Sequence, residues 1–201
     1  LPGYCVLIYK DYLSRTGMDV PVTLEDWHAF LSAIQELDGG TIPLVSQTPW
    51  AMFNFSYFYA PFANTWIWDT EIQGYVPGFY TQNYCERIAA LRSFWDDGLI
   101  DPNFMDVNCG RPSGVDRFLL GQAACIVYPT STHVLMSEMM HRWSQVYPDI
   151  PIEDRVEIAF LPCDDSGQYS ESHDLNMSAI YFSANGSGEK LDPILSLLDY
   201  L

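Results

Sequence analysis

From Gly39 to Trp68 the chain runs for thirty residues without an Asp, Glu, Lys, Arg or His. Elsewhere charge is abundant: 26 acidic residues stand against 9 basic ones, a formal net charge of −17 over 201 residues. A stretch of this kind is not ordinary solvated surface, because exposed positions collect the charged side chains. It is also aromatic, with Trp50, Phe53, Phe55, Tyr57, Phe58, Tyr59, Phe62, Trp66 and Trp68. Pro43, Pro49 and Pro61, together with Asn54 and Asn64, exclude a membrane-spanning helix. Two readings follow. In the first, the tract is core, with a helix from Pro49 to Tyr59 and with Phe55, Phe58 and Phe62 inside. In the second, some of its aromatics line a cleft. Sugars present flat C–H faces edged by hydroxyls. Aromatic platforms backed by Gln47, Asn54, Ser56 and Asn64 would suit them.

The charge balance argues against nucleic acid, which needs clustered cations, and against anionic lipid. Aromatics at 15% and charged residues at 17% argue against disorder. No apolar run reaches 18 residues, so no spanning helix is expected. The five cysteines include no C-x-x-C pair and are odd in number, so free structural thiols are expected. The four histidines form no metal-binding spacing, and no metal or cofactor is expected. There is no G-x-S-x-G elbow, P-loop or G-x-G-x-x-G. Asp96-Asp97 and Asp164-Asp165 read as solvated surface. Carboxylates are numerous enough that counting alone leaves a glycosidase pair open.

Strand-like and helix-like segments alternate. Tyr4–Tyr9 is an apolar, β-prone run, and Asp11–Arg15 a short helix closed by Gly17. Thr23 caps a helix whose Leu24, Trp27, Phe30, Leu31 and Ile34 recur at helical spacing, with Glu25 and Asp26 in the first turn. Ile42–Val45 is strand-like and ends at Pro49. A helix from about Thr81 to Asp97 carries Tyr84, Ile88, Leu91 and Trp95 as its expected buried stripe, with Gly98 after it. Val115–Leu120 is a short helix. Ala123–Tyr128 is a strand ended by Pro129. Thr132 to Tyr147 is a helix with Met136, Met139, Met140 and Trp143 inward. Val156–Leu161 and Ala179–Ser183 are further strands, and Leu191–Leu201 is a final helix. This order predicts an α/β fold, a mixed sheet flanked by helices. The chain starts close to a strand, without a leader, and stops within a helical pattern. An excised piece of a longer protein is therefore expected, and the apolar face of the last helix is expected to lack neighbours.

Several stretches together resemble the family 1 extracellular solute-binding proteins, the sugar-capturing lipoproteins of ABC importers. The stretches are Leu7–Leu13 with Thr16-Gly17, Pro21–Trp27, Gly98–Phe104, Phe118–Ala124, and Glu189 through Leu201. The resemblance implies a two-lobed, periplasmic-binding-protein-like (type II) fold. Residues 1–201 would be a single lobe, with about 174–201 returning toward a first lobe that is missing here. It implies an extracytoplasmic, cell-surface lipoprotein that binds a solute without catalysis and delivers it to a permease. It further implies ligand contacts from Gln47–Tyr57 and Tyr128–Ser131.

The candidate ligand-binding residues are Gln47, Trp50, Phe53, Asn54, Tyr57, Trp66, Tyr128, Thr130 and Ser131, with no catalytic residue and no metal ligand. Trp50, with Gln47, Asn54 and Tyr57, is expected to share a concave face with Tyr128, Thr130 and Ser131. Ligand sites in open α/β sheets collect beyond strand ends. A glycan-active enzyme fragment, and a lobe binding a peptide or other small solute, are the competing functions. The charge-free tract disfavours the enzyme, since a catalytic pair there would need Asp or Glu.

Overall fold

A computed structural model describes residues 3–55, 66–106, 113–130 and 135–163 of the chain. The expected strand Ala179–Ser183, the final helix Leu191–Leu201, and Tyr57, Phe58, Phe62 and Ser131 lie outside the described residues.

Two apolar runs build the centre. β1 (Tyr4–Tyr9) and β5 (Ala123–Pro129) are buried at nearly every position. Strands buried on both faces read as continuous hydrophobic runs rather than alternating ones. The four-stranded sheet has the order β2-β5-β1-β6, with β2 at Ile42–Ser46 and β6 at Val156–Ala159. β1 is antiparallel to both β5 and β6, and β2 is parallel to β5, so the sheet is mixed. Beyond β2, the backbone of Leu44 bonds Leu99 and Asp101 at 3.1 and 2.9 Å, which ties the segment after the long helix to that edge.

Helices cover the sheet. α1 (Lys10–Thr16) follows β1 directly. α2 (Leu24–Leu37) begins at Thr23 as expected. The Thr23 hydroxyl accepts from the Asp26 N–H, and the Asp26 carboxylate accepts from the Thr23 N–H at 2.9 Å. These hydrogen bonds with Thr23 hold the Asp26 pKa below the usual carboxylate value. Trp27, Phe30, Leu31 and Ile34 are fully buried. Trp27 meets Phe30 and Phe55 edge-on at 6.2 and 5.4 Å, and Phe94 extends the cluster from Phe55 at 5.6 Å. A second aromatic cluster joins Tyr9 to Phe118 at 4.5 Å and to Trp143 at 6.0 Å. Its helices are α5 (Gly114–Leu119) and α6 (His141–Val146). The last described helix is the short α7 (Ile152–Arg155) before β6.

α4 (Gln82–Asp96) has the expected length but a different buried stripe. Leu91 is buried, whereas Ile88 is 36% and Trp95 46% exposed; Arg87 and Phe94 take the inner positions. The expected stripe included neither Arg87 nor Phe94. The Arg87 guanidinium donates to the Phe53 carbonyl. The helix is thereby turned about its axis, which puts Phe94 against Phe55. Gly98 closes it in the left-handed region at φ 73°, which glycine adopts without a Cβ penalty.

Three further departures are local. The helix after Thr48 is described as α3 (Pro49–Asn54), with Phe55 buried at its end. The segment Leu135–Met140 is π-helical rather than α-helical, with Met139 buried and Met140 exposed. A two-stranded hairpin, β3 (Trp66–Asp69) and β4 (Gly74–Pro77), was not anticipated. Its turn is held by the Asp69 carboxylate, which accepts from the N–H groups of Glu71 and Ile72 at 2.8 and 3.1 Å.

Cys5, Cys125 and Cys163 are buried free thiols and Cys85 is exposed; Cys109 lies outside the described residues. Burial pushes the Cys5 thiol from its usual 9.0 up to about 12. A folded-state pKa raised in this way gives stability that is full below pH 9 and lost as pH rises toward 12. At pH near 8, cysteine-reactive labelling with mass mapping should modify Cys85 in the native protein, and Cys5 and Cys125 only after unfolding. The turned helix makes its own prediction. Phe94→Ala should cost about 3–5 kcal/mol in urea unfolding and Trp95→Ala under about 1 kcal/mol; the reverse order would restore the stripe read from spacing.

Candidate functional site

The parallel pairing of β2 and β5 sends both chains out at the same edge of the sheet. Ser46 lies opposite Val127, and the Gln47 N–H continues the ladder to the Val127 carbonyl at 3.1 Å. Because β1 runs antiparallel, its beginning arrives at that edge. Tyr4 pairs with Pro129, and the Thr130 N–H donates to Gly3 at 3.1 Å. Residues 3–4, 46–50 and 127–130 therefore gather at one end of the sheet, where open α/β folds place ligands.

Each element leaves the sheet for a local reason. Thr48 caps α3 by accepting from the Ala51 N–H, and Pro49 occupies the first helical position, where no donor is needed. Trp50 follows in the first turn and is 68% exposed. Its backbone carbonyl accepts from the Asn54 side chain at 2.7 Å. α5 starts hard against β2. A Cβ on Gly114 would lie 2.0 Å from the Ser46 carbonyl oxygen, so only glycine permits this approach.

Below Gln47 lies a carboxylate that the sequence did not single out. Glu138 Oε2 accepts from Gln47 Nε2 at 3.2 Å and from the Tyr128 hydroxyl at 3.0 Å. Arg142, one turn on, stands 3.6 Å from Glu138 Oε1 and also pairs with Asp116. Asp116 completes the cap of α5 through Ser113. A continuous polar chain thus runs from β2 and β5 through Glu138 and Arg142 to α5. Burial, followed by the neighbouring Glu138, raises the Tyr128 pKa, so this hydroxyl stays protonated and donates. The signal in the sequence was the i,i+4 pair Glu138–Arg142 in the segment that follows β5. Such pairs read as surface decoration.

The structure therefore brings Gln47 and Tyr128 together on one carboxylate, with Thr130 and Trp50 at the same sheet end. Tyr128 is fully buried with its hydroxyl on Glu138, and Asn54 is 4% exposed with its side-chain NH₂ on the Trp50 carbonyl. Phe53 is half-buried, 6.3 Å from the Trp50 ring and 6.0 Å from Phe104. It borders an apolar cavity of about 210 Å³ between α3 and α4, with Met52, Leu91 and Phe104. Trp66 is 64% exposed and belongs to the hairpin, opposite Pro77. Tyr57 and Ser131 lie outside the described residues. Among the described residues there is no group of His, Cys, Asp and Glu able to hold a metal ion, and no helix is long and apolar enough to cross a membrane.

No family model matches the chain. Lipoprotein LipO of Bacillus subtilis is 27% identical over 137 residues, which cover 61% of this chain and 26% of that protein. The chain thus matches about a quarter of that relative's length. Three solved structures align over 82% of this chain. The alginate-binding protein AlgQ2 without calcium ion does so with a TM-score of 0.60 at 13% identity, covering 33% of that chain. An ABC transporter solute-binding protein from Agrobacterium vitis with bound D-mannitol gives 0.57 at 13%, covering 37%. The GacH receptor of Streptomyces glaucescens, solved unliganded and with acarbose, gives 0.53 at 15%, covering 38%. At such identities the likeness is one of fold. The chain has a mixed α/β, periplasmic-binding-protein-like type II fold, spanning well under half the length of each of these proteins.

Proposed function

We propose that this chain is one lobe of the substrate-binding component of an ABC importer, capturing an oligosaccharide or sugar-like solute outside the cytoplasm without catalysis. The observation that carries the reading is the exposed Trp50 ring beside Gln47, at the sheet end where β2 and β5 both exit. A flat aromatic face next to an amide is the chemistry that suits a sugar's C–H face and hydroxyl rim. The fold supports it, since the similar solved structures are described as binding alginate, D-mannitol or acarbose. LipO is called a lipoprotein, which supports a surface-anchored full-length protein.

In this reading Trp50, Gln47 and Thr130 face the ligand, and Tyr57 and Ser131 remain candidate contacts from the sequence. Asn54 and Tyr128 act from beneath, fixing the backbone of Trp50 and the carboxylate under Gln47. Phe53 backs the Trp50 ring, and Trp66 is an exposed aromatic of the hairpin. The chain's coverage of its relatives supports a second lobe that supplies the facing wall, with a permease as the downstream partner. Closure of two lobes around a ligand provides most of its burial.

Titration calorimetry on the full-length protein with a panel of oligosaccharides tests the proposal. At least one should bind and none should be turned over; hydrolysis would establish the enzyme reading instead. Trp50→Ala should weaken binding by roughly 1–3 kcal/mol, the range for a desolvated aromatic anchor, without changing the unfolding midpoint. Equal affinity of the variant and the parent would remove Trp50 from the site.

A further inference from the structure

The chemistry around Glu138 narrows the ligand class, resting on the sugar-binding reading above. A carboxylate can only accept hydrogen bonds, so the Gln47 amide must turn its NH₂ toward Glu138. Gln47 then has its carbonyl oxygen, an acceptor, and its second N–H left to offer. Glu138 Oε1 is 3.6 Å from Arg142, beyond hydrogen-bond length, and keeps accepting capacity of its own. The Glu138 and Arg142 side chains are both about one third exposed, so the pair is open to solvent beside the strand exits.

The positive charge near this wall is already committed. Arg142 serves two carboxylates, Glu138 and Asp116. Arg117 is held by Asp101 at 2.7 Å, and Arg87 donates to the Phe53 carbonyl. Lys10 and Arg155 sit at the other end of β1, where both border the cavity beside Tyr9. Among the described residues the wall therefore carries net negative charge, one arginine standing between two carboxylates.

We infer that this wall selects a neutral, hydroxyl-rich saccharide over a carboxylate-bearing one, with Glu138 as the specificity-determining residue. Hydroxyl groups can donate to the Gln47 oxygen and to Glu138 Oε1. A uronate would set a second carboxylate against Glu138, and like-charge juxtaposition is a strong means of rejecting a ligand.

The test is calorimetry on the full-length protein with neutral tetrasaccharides (maltotetraose, cellotetraose and mannotetraose) and acidic ones (tetragalacturonate and tetramannuronate). The best neutral ligand should bind at least about tenfold tighter than either uronate at about 0.15 M salt. That preference should persist at about 1 M, where the Debye length is only about 3 Å and the field of the whole molecule is screened. Glu138→Gln keeps an oxygen for Gln47 and Tyr128 but replaces the free acceptor with a donor. It should lower neutral affinity and raise uronate affinity, narrowing the ratio by about tenfold or more. Uronates binding as tightly as neutral sugars would overturn the inference while leaving the sugar-binding reading intact. So would a preference that vanishes at 1 M, or a variant that weakens both classes equally. Failure of every tetrasaccharide to bind would remove both.

Discussion

β5 holds two different relationships at once, parallel to β2 on one edge and antiparallel to β1 on the other, and every residue from Ala123 to Tyr128 is out of water. The position of the candidate site depends on that double pairing. The parallel partner delivers Gln47 beside Val127, and the antiparallel partner delivers residues 3–4 to the same edge. A slip of one residue would reverse the facing of every side chain on the slipped strand. Tyr128 would then no longer aim at Glu138. The contact of Gly114 with the Ser46 carbonyl holds β2 from the side, since α5 can approach the strand this closely only without a Cβ. The site is thus set by backbone geometry before any side chain of the charge-free tract is placed.

With nine cations against 26 acids, the placing of each positive charge matters. Two of the described cations act in low-exposure positions. Arg117 and Asp101 form an ion pair with side chains 12% and 7% exposed, and Arg87 is 3% exposed on the Phe53 carbonyl. Buried pairs of this kind stabilise less than their Coulomb attraction suggests, because both ions lose their hydration. Their structural effect is to fix position. Arg117 and Asp101 tie α5 to the segment after Ile100, and Arg87 ties α4 to the end of α3. The acidic excess is left facing solvent, where it disfavours anionic partners at long range.

The fold was legible where hydrophobic pattern and local chemistry agree. β1 was read at its observed bounds, and α2 follows from its cap and its apolar spacing. α4 was legible in extent but not in rotation, because periodicity alone could not foresee a charged Arg87 turned inward onto a carbonyl. The hairpin was missed because Trp66, Trp68 and Tyr75 are exposed aromatics on one face, a pattern that resembles core until the partner strand is known. At the candidate site, the placing of Trp50 and Gln47 at the sheet end was legible from the strand exit and Pro49. Glu138 was not, since its importance comes from two donors that are 91 and 10 residues away in sequence. Asn54 and Tyr128 were picked for their polar side chains, which bond the Trp50 carbonyl and Glu138.

The charge-free tract divides its aromatics between two tasks, and the division explains how an exposed tryptophan can be held still. Phe55 is buried against Trp27 and Phe94, while Trp50, five residues earlier, stands in solvent. Between them α3 is fixed at three points: Thr48 at its start, Asn54 on the Trp50 carbonyl, and Arg87 on the Phe53 carbonyl. The Phe53 ring adds a side-on contact at 6.3 Å. A six-residue helix would be marginal on its own, so these anchors replace the stability that length would give. In the sugar-binding reading proposed above, with the backbone already ordered, binding need only restrict the rotation of one indole ring. Ordering costs subtract directly from affinity, so a pre-set platform leaves more of the burial energy for the ligand. The aromatic residues that face inward are in this sense what makes the outward one usable.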